Sequence, residues 1–170
     1  ELIKNKVFTE LVDIEYEDCN FEGCDFSNAR IDGCTFIECT FNQCNFSLSK
    51  IFQSAFREVQ FNDCKILGIH FENCKEGIFS VGFKHCSISL TSFYQRKMKA
   101  TLFLHCQLHE VDFTEADLRE AKFTECDLLR SVFENTILEK ADFRTAVNYA
   151  IDPNKNKIKK QIKNLQWAGN

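Results

Sequence analysis

The sequence predicts an all-β solenoid, a four-sided coil of short stacked strands followed by a short C-terminal α-helix. Three observations carry this expectation. A large apolar residue returns every five residues, a small residue stands two places before it, and several cysteines recur at separations of twenty. The stretch CNFEGCDFSNARIDGCTFIECTFNQCNF, from Cys19 to Phe46, shows all three together.

The beat runs from Tyr16 through Phe21, Phe26 and Ile31 to Phe71, slips by two, and continues from Ile78 and Phe83 to Phe143. It covers twenty-six central positions and takes fifteen of the 18 phenylalanines, while nine of the ten cysteines fall two places before a central position and Cys74 falls at the slip. Neither regular element explains a step of five. On an α-helix it would rotate the apolar residue around every side. On one long strand it would alternate faces. Within a single repeat, however, the small and the large residue are two apart, so a short extended segment turns both inward. The chain must then turn a corner in every repeat. With twenty residues per coil, one wall stacks Cys24, Cys44, Cys64, Cys86, Cys106 and Cys126. The neighbouring central column holds Phe21, Phe41, Phe61, Phe83, Phe103, Phe123 and Phe143. At roughly 4.8 Å per coil, six to seven coils make a rod of roughly 30 Å.

The elements follow in order. Residues 1–13 read as an N-terminal cap, with Val7, Phe8, Leu11 and Val12 plugging the first coil. Residues 14–148 are the repeats, interrupted by a two-residue insertion near 76–77. Residues 152–168 read as a helix: Asp152 is a good N-cap, Pro153 suits the first turn, and Ile158, Ile162 and Leu165 follow at helical spacing before Trp167. That stripe is expected to cap the last coil, to pair with another subunit, or both.

The stretches ADLREAKFTECDLLRSVF and KADF are similar to the pentapeptide-repeat family, whose pattern is a small residue, Asp or Asn, Leu or Phe, then two polar positions. The resemblance covers residues 14–146 and implies a right-handed quadrilateral β-helix. Within the family, FLHCQLHEVDFTEADLREAKF and the tail at Asp152–Asn156 resemble the branch of the Qnr, MfpA and McbG proteins. That resemblance implies a non-enzymatic DNA mimic that binds DNA gyrase or topoisomerase IV, protects it from quinolones or toxins, and dimerises through its C-terminal helix. The other reading from sequence is a structural or scaffold module with an unassigned protein partner.

The residues themselves argue against chemistry in the cysteine run. A narrow interior with phenylalanine at its centre needs a small apolar neighbour, and cysteine is such a residue. His85 and His105, twenty apart with Glu125 next, should stack on one outer column, while His70 and His109 read as solvated surface. The coil's periodicity alone accounts for such a column, so no metal and no cofactor is expected. No glycine-rich phosphate loop, nucleophile elbow or HExxH motif occurs, and no catalytic residue is expected. No apolar run spans a bilayer and no signal-like segment opens at Glu1, so a cytoplasmic protein without membrane contact is expected.

Function is sought on the outward letters. The whole chain carries −4 and residues 151–170 carry +4, which leaves −8 for residues 1–150. Such a surface repels nucleic acid and favours protein partners. Asp112, Glu115, Asp117 and Glu120 are candidate partner-binding carboxylates. Phe52, Phe79 and Tyr94, the first two expected to face outward, are candidates for an apolar contact patch. Arg96 occupies a small-residue slot where an unpaired charge is costly, so the coil is expected to bulge there or the register to change.

Overall fold

A computed structural model describes residues 1–158. Short parallel strands stack in columns, and the step from one level to the next is twenty residues: Phe21 pairs with Phe41, Phe41 with Phe61, and Phe83 with Phe103. Four columns repeat in turn, and each is named here by one central residue. The Phe21 wall is built by strands Leu2–Lys4, Asn20–Glu22, Thr40–Asn42, Ala55–Asn62, Phe79–Lys84, Leu102–Leu104 and Lys122–Thr124. The Phe36 wall holds Glu15–Glu17 and Thr35–Ile37 and continues in the first residues of Ala55–Asn62 and Phe79–Lys84, which round the corner into the Phe21 wall: Phe36 pairs with Phe56 and Phe56 with Phe79. The Ile31 wall holds Glu10–Val12, Arg30–Asp32 and Lys50–Phe52. The Ile66 wall holds Lys65–Leu67, Ser87–Ser89 and Gln107–His109.

The five-residue beat becomes geometry at the corners. The residue two places after most central positions adopts a left-handed conformation, as at Asp18 (φ +48°), Glu38 (φ +51°) and Glu120 (φ +59°). For an ordinary side chain this conformation costs roughly 1–2 kcal/mol. Each corner offsets it by donating its N–H to the next coil, as His105 does to Thr124 O at 2.9 Å and Glu120 to Glu139 O at 2.9 Å. The chain can therefore turn sharply without glycine at most corners.

Inside, the phenylalanines of the Phe21 wall stack face to face, with centroids 4.6–5.2 Å apart from Phe21 to Phe143. Adjacent walls meet edge to face, as Phe103 does with Phe113 at 5.9 Å and 83°. Both geometries suit the aromatic quadrupole. The cysteines fill the small slots, and all ten are buried and free. The structure adds a reason that size alone does not supply. Each thiol of the Cys24 column donates to the carbonyl of a central residue one coil earlier, at 3.3–3.6 Å: Cys44 to Phe21, Cys64 to Phe41, Cys106 to Phe83, Cys126 to Phe103. On other walls Ser49, Ser54, Ser131 and Thr136 make the same bond at 2.6–3.0 Å. The slot takes a small residue and offers it a carbonyl where it can donate, whereas Ala29, Ala116 and Ala121 fill it without a donor. Replacing Cys106 with Ser keeps the donor and is expected to cost under about 1.5 kcal/mol, whereas Cys106→Leu overfills the slot at about 1–3 kcal/mol; urea melts of the two variants check the order.

Three expectations are corrected. Residues 1–13 are no separate plug: Ile3 pairs with Phe21, Leu11 pairs with Ile31, and Phe8 stacks on Phe26 at 4.6 Å. They form a coil of their own, shortened by two residues, since Ile3 to Phe21 is a step of eighteen. At the insertion, Ile78 does not take the central slot. Phe79 pairs with Phe56, the register shifts between Phe79 and Val81, and Ile78 is left exposed. At the other end, residues 152–158 are not helical. Asp152 Oδ1 accepts the Asn154 N–H at 2.9 Å in a local turn, and Lys157 bridges Ile137. Asn156 occupies the small slot, its Nδ2 donating to Phe133 O at 2.9 Å and its Oδ1 accepting the Thr136 N–H at 3.0 Å. Ile158, one coil after Leu138, packs against the core. Ile162, Leu165 and Trp167 lie outside the described residues. Among the described residues no helix is long and apolar enough to cross a membrane.

Candidate functional site

The outward residues of a rigid coil are placed by the register, so its surface can be read column by column. Phe52 stands on the Ile31 wall in line with Asp32 and Val12 and is 56% exposed. Tyr94 takes the equivalent outward place two levels on, beyond Glu72, and is half-buried. Leu48 and Leu90, on the corner that precedes this wall, are also exposed. Phe79 does not join them. The inserted residues turn it inward, where it contacts Phe71 at 5.5 Å and Phe56 at 6.3 Å and lies beneath the Arg96 guanidinium at 5.5 Å.

Arg96 is buried. Its Nη1 donates to Cys74 O at 3.1 Å and Lys75 O at 3.4 Å, carbonyls at the start of the inserted loop, while its Nε has no partner. Burial pushes the neighbouring Cys74 thiol up to about 12, against the pull of the Arg96 charge. The thiols of Cys24, Cys34 and Cys39 are raised by burial as well. Groups held so firmly as thiols are weak nucleophiles and weak ligands.

The four candidate carboxylates do not gather on one face. Asp112 lies on the Ile31 wall, where its Oδ1 accepts the Thr114 N–H at 2.9 Å, and Glu115 on the following corner accepts from Gln95 at 2.7 Å. Asp117 and Glu120 belong to the next wall and its corner. Asp117 pairs with Arg119 at 2.5 Å, a hydrogen bond that lowers its pKa, and Glu120 lies 3.5 Å from Lys99. Half of this set is therefore neutralised locally.

A stronger negative surface lies nearer the N-terminus. The corner column Asp18, Glu38 and Glu58 sets one carboxylate on each of three consecutive coils, with φ between +48° and +55°. Asp13, Glu15 and Glu17 flank its start, and among the described residues none of the six forms an ion pair with a cationic side chain. Between Glu10 and Asp25 there are seven acidic residues and no Lys or Arg. The sequence carried this signal in the spacing 18, 38, 58, which a count of acids per region does not reveal.

A family model described as a pentapeptide repeat region matches residues 10–77 and 76–146. The chain belongs to the pentapeptide repeat family. No curated protein matches it. Among solved structures, this pentapeptide repeat protein is similar to trypsin-treated QnrB1, a plasmid-mediated fluoroquinolone resistance protein, at 15% identity and a TM-score of 0.39, covering 93% of this chain and 92% of that one. It is also similar to HetL, a pentapeptide repeat protein involved in heterocyst differentiation regulation from the cyanobacterium Nostoc sp. strain PCC 7120. There the identity is 11% and the TM-score 0.35, with 89% of each chain covered. Family membership rests on the model match, and the architecture on the strand registers above.

Proposed function

We propose that this pentapeptide repeat protein is a non-enzymatic interaction module that presents itself to a type II topoisomerase, DNA gyrase or topoisomerase IV, in place of DNA. The observation that carries this reading is the row Asp18, Glu38 and Glu58. Coils stack at roughly 4.8 Å, so the row sets one charge per coil at about 1.4 times the 3.4 Å rise per phosphate of one DNA strand. The left-handed corners fix the backbone from which these carboxylates project, so a DNA-binding groove lined with Lys and Arg would meet a preorganised row. The net −8 of residues 1–150 is well below the charge of a duplex of similar length. The mimicry therefore resides in this row and its flanks rather than in total charge.

Gyrase supercoiling assays with and without a quinolone test the proposal. The chain is expected to inhibit supercoiling or relieve the drug, and the variant Asp18→Asn, Glu38→Gln, Glu58→Gln is expected to weaken that effect by about tenfold or more while folding normally. No effect of the wild-type chain on either enzyme sinks the topoisomerase reading. An undiminished effect in the triple variant sinks the row as its basis. A second reading, a scaffold with another protein partner, is favoured by the exposed Leu48, Phe52 and Leu90 together with Tyr94, an apolar patch without a DNA counterpart.

A further inference from the structure

We propose that His85 and His105 form a two-imidazole site for a divalent first-row transition metal ion, bridging two consecutive coils. Both occupy the corner after the Phe21 wall, with nearly equal φ of +54° and +51°, so their side chains leave the rod in parallel. Their rings stack with centroids 5.0 Å apart and planes 8° from parallel. One coil further on, Glu125 completes the arrangement, its Oε2 lying 3.1 Å from His105 Nδ1. A carboxylate on one ring nitrogen fixes the tautomer and leaves Nε2 with its lone pair free, the outer-shell pattern that orients histidine ligands. Asp63 stands at the equivalent corner one coil before His85, with φ +53°. The column thus reads carboxylate, imidazole, imidazole, carboxylate.

Periodicity places these residues in one column, and the contact with Glu125 then orients the His105 ring. Among the described residues no group of three or more His, Cys, Asp and Glu is placed to hold an ion, so the site is bidentate, with water filling the remaining positions. Metal–nitrogen distances of about 2.0–2.1 Å require the two ligating nitrogens to come within about 4 Å. Both residues are exposed, and the site requires the rings to turn about Cβ–Cγ, because in the stacked arrangement their in-plane lone pairs run parallel. Imidazole selects Zn2+, Ni2+ and Cu2+ over Mg2+, which demands oxygen ligands. An ion held between His85 and His105 ties one coil to the next and stabilises the folded chain by mass action. The inference is independent of the topoisomerase reading.

Calorimetric titration of the full chain with Zn2+ and Ni2+, beside thermal melts with Zn2+ or Mg2+, tests it. One ion per chain and a Tm raised by Zn2+ but not by Mg2+ are expected. His85→Asn and His105→Asn, which tolerate the left-handed corner, are each expected to weaken binding at least about tenfold, and Glu125→Gln by about tenfold or more. Absence of Zn2+ and Ni2+ binding overturns the site. So does binding that survives in a folded double histidine variant, since the ion would then sit on other groups.

Discussion

Phe103→Ala is expected to lower the unfolding free energy by about 3–5 kcal/mol, the usual range for removing a fully buried aromatic ring. Phe103 has no exposed surface and contacts rings on every side: Phe83 at 5.2 Å before it, Phe123 at 4.9 Å after it, and Phe93 and Phe113 edge-on. The cavity cannot collapse easily, because each wall is pinned by hydrogen bonds to the coils on either side. Position along the rod should grade the effect. In a solenoid each coil contacts only its neighbours, and Phe8, in the first coil, has Phe26 stacked on one side only and is half-buried. Phe8→Ala is accordingly expected to cost less than half as much as Phe103→Ala. Urea denaturation of both variants checks this, and equal losses would show that the rod does not unfold from its ends as nearest-neighbour coupling requires.

The same argument explains what the sequence could reveal. A step of five that fits neither helix nor strand leaves a cornered coil as its consistent solution, and the twenty-residue columns at Phe21 and Cys24 follow from it. Two places misled because two patterns fit the same letters. Ile158, Ile162 and Leu165 have helical spacing, yet Ile158 also lies one coil beyond Leu138, and Asn156 in the small slot pairs with Phe133 O and the Thr136 N–H. Those buried bonds decide for the coil, and no side-chain periodicity displays them. At the insertion, the beat placed Ile78 in the column and Phe79 outside it, whereas the larger ring took the space beside Phe56 and Phe71. The outer surface was legible only by column: acids counted along the chain pointed to Asp112–Glu120, whereas stacking brings Asp18, Glu38 and Glu58 together. The thiol-to-carbonyl bonds of the cysteine column were hidden for another reason. A thiol's value as a donor shows only when the carbonyl facing it is placed.

Arg96 gives the second large expected effect, and its sign depends on what replaces it. The side chain fills a small-residue slot enlarged by the insertion, spans to Cys74 O and Lys75 O, and covers the Phe79 ring. No carboxylate partner pairs with it among the described residues, and Nε is buried without a partner. A buried charge in this state is costly, and replacing such a group by an apolar side chain of similar size is often neutral or stabilising. Arg96→Met is therefore expected to stay within about 1 kcal/mol of the wild type. Arg96→Ala releases the same charge and the same Cys74 carbonyl as the Met variant but also leaves a cavity beside Phe79, for an expected loss of about 2–3 kcal/mol. Arg96→Glu sets an anion against two carbonyl oxygens and the negative face of Phe79, and is expected to cost about 3–5 kcal/mol. Hydrogen exchange adds a local readout: amides of residues 74–80 should exchange faster in Arg96→Met even where global stability is unchanged, because the carbonyl clamp on the loop is gone. If the Met variant is as destabilised as the Glu variant, the guanidinium contributes through its bonds more than its burial costs, and the insertion is folded by Arg96 rather than by Phe79.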